Sequence, residues 1–395
     1  MADKKRLVIV SGSFPEIKCG VSRHTDIIAA GAARVGCYDV HVLTSSDAAV
    51  KVEIARGYQV HPRIEKWSVF SVRTICREIL RLQPDIVHIQ NPTIKYRGLR
   101  SITMSAVAPL LKRKAPKVRV VVTQHDIAVG KSMFRYRYLP LLKAADAVAV
   151  SNDRDYRAVL DLKIAPEKVY ISPVASHIKI PPPDRETKIR ARKAMGIASD
   201  AVCITYFGFV HPERNVDVLI CALELLQRQG RKVHGVIMGG ASQGAEEYYQ
   251  DCKGLAARLQ LEEHVTWTGY ATQEQIINGM LAADVFVSLP QRGADMRNTS
   301  IHTALRAELP VVTTRNHRYY VDGLIEKMGC ICVAPRDAGA LCDAIVDMVE
   351  HPPPREKRAR WREQLDPDRI WDLHVQINMR AYNNEQPLNQ PWLSL

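Results

Sequence analysis

The sequence predicts an α/β protein of two parallel sheets, each covered by helices, and three observations carry that prediction. Short β-branched apolar runs alternate with helix-compatible stretches along the chain, the pattern of parallel strands buried on both faces. The 395 residues, 46% hydrophobic and 25% charged, suffice to bury two cores. Ser172–Arg185, SPVASHIKIPPPDR, holds three consecutive prolines, which forbid helix and favour a stiff extended crossing. The expected division is a first domain at residues 1–175, a linker at 172–185, a second domain at 186–352 and a C-terminal helix near 367–383.

In the first half, Arg6–Pro15 (RLVIVSGSFP) reads as a buried strand and turn, and Gly20 opens a helix from about Val21. A glycine there lets backbone approach a ligand closely. Asp85–Gln90 (DIVHIQ) and Arg119–Thr123 (RVVVT) are two more buried strands, the second running into Gln124, His125 and Asp126. A His-Asp pair just past a strand end lies where open α/β sheets bind ligands; a buried structural histidine is the alternative.

The second half repeats the pattern with Ala201–Val210, Lys232–Gly240 and His264–Gly269 as strands. Within Ala283–Thr314, the strand Asp284–Leu289 leads into a glycine-bearing loop. Thr299 or Ser300 then caps a helix through about Glu308, Pro310 halts it, and the strand Val311–Thr314 follows. The free N–H groups of that helix, with Arg292 and Arg297 in its loop, suit a phosphate or diphosphate. An ordinary strand-to-helix turn is the alternative. A second proline run, Pro352–Pro354, precedes basic Arg355–Arg362 and a helical stretch Pro367–Tyr382, with Trp361, Ile370 and Trp371 as anchors.

These segments resemble the family 4 glycosyltransferases, retaining enzymes of the GT-B type. Their Glu-x7-Glu pattern, counted back from Pro310, falls on Asp295 and Thr303, so only the first position keeps a carboxylate. A second pattern of that family, Gly-Ala-x-x-Arg-x-x-Ser with Leu-Pro-Val-Val-Thr-Thr, fits without a gap on Gly293, Ala294, Arg297, Ser300 and Leu309–Thr314. The strand-Gly-Arg-loop-Lys element falls on Ala201–Arg214, with Phe209 where the arginine is usual and Arg214 where the lysine is usual. The resemblance marks a divergent branch. It implies two Rossmann-like domains facing across a cleft, the last helix crossing back to the first domain.

What the resemblance implies about function is transfer of a sugar from a nucleoside diphosphate sugar to an acceptor hydroxyl, without cofactor or metal. Arg214, Arg297 and the amides at Thr299 and Ser300 are expected to stabilise the departing diphosphate. Gly20 faces it from the first domain. Gly239, Gly269, Asp295 and Thr303 are the other donor-binding candidates, and His125 with Asp126 is expected to hold the transferred sugar. A non-catalytic nucleotide-sugar-binding subunit, an epimerase and a phosphorylase are the alternatives.

Charge is distributed unevenly. Residues 1–170 carry 29 Lys+Arg against 15 Asp+Glu, an excess of 14 that exceeds the chain's net +13. Lys95–Arg100, Lys112–Arg119 and Lys131–Arg137 (KSMFRYR) are the clusters, the last interleaved with large apolar residues. Such interleaving suits an anionic membrane surface or lipid-linked acceptor better than nucleic acid, for which no module is visible. A solvated basic face is the alternative. No apolar run approaches the roughly 18 residues of a spanning helix, and the N-terminus lacks a signal-peptide core. Nine scattered cysteines fit reduced thiols in a cytoplasmic protein, peripheral on the inner membrane face. Cys330 and Cys332 read as core, and the Asp153/Asp155 and Asp366/Asp368 triplets read as polar turns or helix starts rather than metal sites.

Overall fold

Each β-branched run of the first half becomes a strand of one parallel sheet. In the computed structural model, which describes residues 4–14, 20–47, 57–96, 98–127, 133–316 and 323–388, these are β1 (Lys5–Val10), β2 (Tyr38–Ser45), β3 (Gln59–Ile64), β4 (Ile86–Asn91), β5 (Arg119–Gln124), β6 (Ala147–Val150) and β7 (Val169–Ile171). Their order is β3-β2-β1-β4-β5-β6-β7. Between them run α1 (Gly20–Val35), α2 (Val72–Arg81), α3 (Ile102–Lys114), α4 (Leu139–Ala144) and α5 (Asp153–Asp161). Successive strand residues point to opposite faces, so Leu7 and Ile9 enter one core while Val8 and Val10 enter another. Both faces are dry, which is why these strands read as continuous apolar runs.

The second half forms β8 (Val202–Phe207), β9 (Val233–Met238), β10 (Val265–Gly269), β11 (Val285–Ser288), β12 (Val311–Thr314) and β13 (Ile331–Val333), in the order β10-β9-β8-β11-β12-β13, again all parallel. Its helices are α6 (Arg185–Ala194), α7 (Val216–Arg228), α8 (Glu246–Arg258), α9 (Gln273–Ala282), α10 (Thr299–Arg306), α11 (Leu324–Lys327), α12 (Ala338–Glu350) and α13 (Arg355–Gln364). In each sheet the strand order reverses once, between β1 and β4 and between β8 and β11. Crevices at the carboxyl ends of such strands are the ligand-binding places of open α/β sheets.

The chain divides into two units, Met1–Val174 with Ile370–Leu395, and Ala175–Arg369. The second therefore begins inside the proline-rich segment and runs past residue 352 to include α13. The last helix, α14 (Pro367–Asn383), contributes its residues from Ile370 onward to the first unit. Ile370, Ile377 and Tyr382 are buried there, and α1 approaches so closely that a Cβ on Gly31 would lie 2.4 Å from Val375 Cγ2. Trp361, expected to help anchor that helix, lies instead on α13 in the second unit.

Candidate functional site

In the second unit, glycines let three strand ends converge. A Cβ on Gly239 would lie 1.8 Å from the Gly208 carbonyl oxygen, so only glycine permits β8 and β9 to splay and close over each other here. Gly208 has φ +150° and Gly269 φ +62°, and Gly239 and Gly269 form a bridge. The buried Tyr206 hydroxyl braces the loop by donating to the Phe209 carbonyl at 2.8 Å. Phe209 itself is exposed, edge-on to Tyr270 with ring centroids 6.3 Å apart. At the position where the resemblance places an arginine, the structure thus presents an apolar ring.

Arg214 ends a one-turn 3-10 helix, Pro212–Arg214, capped by His211, whose Nδ1 accepts from the Glu213 N–H at 3.1 Å. Asn215 follows at φ +49°, a left-handed conformation asparagine tolerates, and its Nδ2 donates to the Leu289 carbonyl at 2.9 Å. The Gln291 N–H also donates to the Glu213 carbonyl at 2.8 Å. These bonds tie the loop after β8 to the loop after β11 across the switch point. Arg214 is exposed on the tied pair.

The loop after β11 is itself ordered by backbone bonds. Gly293 has φ +83° and the Ala294 N–H donates to the Thr314 carbonyl at 2.9 Å. Asp295 accepts the Arg297 N–H at 2.8 Å, and the Arg297 guanidinium reaches its other oxygen at 3.2 Å. Arg297 therefore carries a charge-assisted pair within its own loop rather than an unpaired cation. Neither Thr299 nor Ser300 is the N-cap of α10: Asn298 holds that position, its side chain accepting the Asp295 N–H at 2.8 Å. The Thr299 amide donates to the Arg297 carbonyl at 2.9 Å. Thr303 is fully buried, its hydroxyl 2.7 Å from Ser176 Oγ and 2.9 Å from the Thr299 carbonyl. That side chain packs the helix against the segment before α6, with no surface for a ribose. The structure thus leaves Gly239, Gly269, Asp295, Ser300, Arg214 and Arg297 around the carboxyl ends of neighbouring strands.

In the first unit, α1 begins at Gly20, where an added Cβ would meet nothing within 4 Å. The close approach in this loop belongs to Gly12, whose Cβ would lie 2.6 Å from Thr93 Oγ1; Pro15 falls outside the described residues. His125 follows β5, its backbone N–H donating to the Asn91 carbonyl at 2.7 Å. Asp126 is exposed, and its carbonyl accepts from buried Gln124 Nε2 at 2.6 Å.

Around His125 stands a cluster the sequence did not announce. His24 of α1 is edge-on to it with centroids 4.7 Å apart, and His374 of α14 is edge-on to His24 at 4.5 Å. Gln90 and His88 of β4 lie beneath, both fully buried. Burial, then the neighbouring His374, holds His125 down at about 3. Burial, then the charges of His125 and His374, does the same to His88 at about 3. Burial lowers His374 to about 4. The alternating pattern of DIVHIQ places His88 and Gln90 on one face of β4, but nothing local foretells histidines 37 and 286 residues away from His88, at positions 125 and 374; only the fold joins them.

A different patch lies on the outside of the first unit. Phe134 and Tyr136, 61% and 51% exposed, sit on the 3-10 helix Met133–Tyr138. Beside them Ile102, Ala106, Pro109, Leu110, Tyr136 and Pro140 line an open groove of about 590 Å³, with Arg113 and Arg137 at its wall. Other members of the basic clusters are ion-paired: Lys95 with Asp47, Lys112 with Asp146 and Arg135 with Asp161. Lys131 and Arg97 fall outside the described residues. Among the described residues no helix is long and apolar enough to cross a membrane.

Comparison with known proteins agrees with this architecture. Residues 19–174 match the family described as Glycosyltransferase Family 4, and residues 187–365 match Glycosyl transferases group 1. The α-monoglucosyldiacylglycerol synthase of Streptococcus pneumoniae is 26% identical over 286 residues, 68% of this chain and 61% of its own length. A GDP-mannose-dependent α-(1-6)-phosphatidylinositol monomannoside mannosyltransferase of Mycobacterium tuberculosis is 26% identical over 233 residues, 54% of this chain and 58% of its own. The chain thus spans about three fifths of the length of these relatives. Among solved structures, a glycosyltransferase from Rickettsia africae superimposes with TM-score 0.75 at 16% identity, covering 96% of this chain and 98% of that one. Anabaena HepE, solved with UDP and glucose, does so with TM-score 0.71 at 16% identity, covering 96% and 99%. With two parallel-sheet α/β units of seven and six strands, the fold is GT-B, and the chain belongs to the family 4 glycosyltransferases.

Proposed function

We propose that this chain is a retaining glycosyltransferase that moves a hexose from a nucleoside diphosphate sugar to a hydroxyl of a lipid-linked or glycan acceptor. The observation that carries the reading is the pair of tied loops after β8 and β11, which join the turn that bears Arg214 to the loop whose Asp295–Arg297 pair leads into α10. Departure of a nucleoside diphosphate builds negative charge, and preplaced cations and amides stabilise it without reorganising. Gly239 and Gly269 admit the nucleotide to the strand ends; Gly20 is assigned to the diphosphate, and His125 with Asp126 to the transferred sugar, on the resemblance to the family. Because arginines and amides supply the stabilising charge, turnover is expected to persist in EDTA.

The reading is tested by incubating the protein with a panel of UDP-, GDP-, ADP- and TDP-sugars and lipid or glycan acceptors, then determining the product anomer by NMR. An α-product from an α-linked donor fits retention. A β-product overturns it and recasts His125 or Asp126 as a catalytic base. Phe209 favours a second reading, since it removes a cation from the diphosphate site: a subunit that binds a nucleotide sugar without transferring it. Calorimetric binding of donor with no turnover on any acceptor would select that reading.

The groove and its aromatic rim give the acceptor side its place in this proposal. Exposed rings beside Arg113 and Arg137 match the boundary of an anionic bilayer, where rings sink among the headgroups and each nearby cation contributes about 1 kcal/mol. By name, one of the relatives makes a monoglucosyldiacylglycerol and another is a mannosyltransferase of a phosphatidylinositol monomannoside, and a lipid-linked acceptor is the reading they favour.

A further inference from the structure

Gln90 has no exposed surface, and its two amide atoms face different partners. Oε1 lies 2.8 Å from His125 Nε2 and 3.0 Å from His24 Nδ1, whereas Nε2 lies 3.2 Å from His88 Nε2. An amide oxygen only accepts, so both imidazole nitrogens that meet it carry hydrogens. The amide nitrogen only donates, so His88 Nε2 is the acceptor there, as it is for the Thr123 hydroxyl at 2.7 Å. The His88 hydrogen is then on Nδ1, which donates to Tyr382 Oη at 2.6 Å. One side chain thereby assigns three tautomers. The choice has content because burial keeps these rings neutral near pH 7, His125 and His88 each at about 3. A neutral imidazole carries one hydrogen, and the bond made by one nitrogen decides the chemistry of the other.

We propose that Gln90 is a positioning residue that fixes His125 as its Nε2–H tautomer and so makes Nδ1 the acceptor of the ring. The proposal rests on the reading in which His125 holds a hydroxyl of the transferred sugar. Under it, a group that meets Nδ1 has to donate, so the ring selects a hydroxyl hydrogen over an ether oxygen. His24, bonded to the same Oε1 and edge-on to His125, limits rotation of the ring. Tyr382 fixes the far end of the chain, and through His88 the C-terminal helix determines which way the Gln90 amide points.

Long-range 1H–15N spectra of the full chain labelled with 15N-histidine read the tautomer directly. In the unsubstituted protein His125 is expected as Nε2–H from pH 8 to pH 5. Gln90→Leu is expected to give a mixture of tautomers and to lower kcat with UDP-glucose or GDP-mannose about tenfold, with KM and the calorimetric Kd of UDP and GDP changed less than twofold. Gln90→Glu keeps an acceptor toward His125, so it retains Nε2–H and recovers most of kcat, while its carboxylate raises the His125 titration toward neutrality. A wild-type His125 protonated at Nδ1, or an unchanged tautomer in folded Gln90→Leu, overturns the proposal. If Gln90→Leu does not fold, the titration in Gln90→Glu decides, and an unmoved His125 overturns it. A lost tautomer with unaltered turnover leaves Gln90 in its role and removes His125 from the sugar, which is failure of the other reading alone.

Discussion

At the scale of single residues, the two arginines of the anion cradle differ. Arg214 stands exposed on a 3-10 turn, whereas Arg297 is held by Asp295. Arg214→Ala is therefore expected to weaken nucleoside diphosphate binding by ~1.5–3 kcal/mol, the range for charge-assisted hydrogen bonds, measured by titration calorimetry. Unchanged affinity would remove Arg214 from the site. Two glycines form a second contrast. Gly239→Ala drives a methyl into the Gly208 backbone and is expected to lower stability by ~1–3 kcal/mol or more. Gly20→Ala meets open space at a helix start and should be neutral or stabilise by up to ~1 kcal/mol. Urea midpoints of the two variants check both expectations, and an equal loss in each would sink the distinction. The strand-end glycines were legible in the sequence because a glycine after a buried strand has few other uses. Thr303 was not, because its burial depends on Ser176, remote in sequence, and a one-dimensional pattern cannot tell an inward threonine from a ligand-facing one.

At the scale of elements, the strands were the most legible part. DIVHIQ and RVVVT became β4 and β5 within a residue at each end, since a strand covered on both faces leaves an unbroken apolar run. The cap of α10 was misplaced by a residue because Asn, Thr and Ser in succession all satisfy the capping preference; Asn298 holds the position without a side-chain cap bond, its Oδ1 accepting instead from the Asp295 N–H of the preceding loop. The element that carries the groove, Met133–Tyr138 with α3, supports a prediction of its own. Vesicles rich in anionic lipid are expected to retain the protein at low salt and release it at high salt, since exposed charges are screened beyond ~10 Å at 0.1 M. Phe134→Ser with Tyr136→Ser should reduce retention at least severalfold while leaving nucleotide binding intact. Co-sedimentation that these changes do not alter would turn the groove over to a soluble acceptor.

At the scale of the whole molecule, buried histidines link folding to pH. His88 near 3, His374 near 4 and His302 near 4, all lowered by burial, stay neutral in the fold, whereas an unfolded chain protonates them near 6.5. Below about 6.5 the unfolded state binds more protons, so stability is full above that pH and declines as pH falls toward 3–4. Each such group contributes a slope of up to ~1.4 kcal/mol per pH unit inside that window. Urea midpoints at pH 7.5 and pH 5 should differ accordingly, and a flat profile would contradict the neutral cluster. The discontinuous first unit also has a consequence in time. A ribosome delivers Met1–Val174 first, then the entire second unit, and only at the end the residues from Ile370 that contribute Tyr382 to His88. At ~5–20 residues per second, the first sheet spends roughly 10–40 s of synthesis with that flank unclosed. Nascent chains stalled before Ile370 should therefore be cut by protease in the first unit while the second, already contiguous, resists.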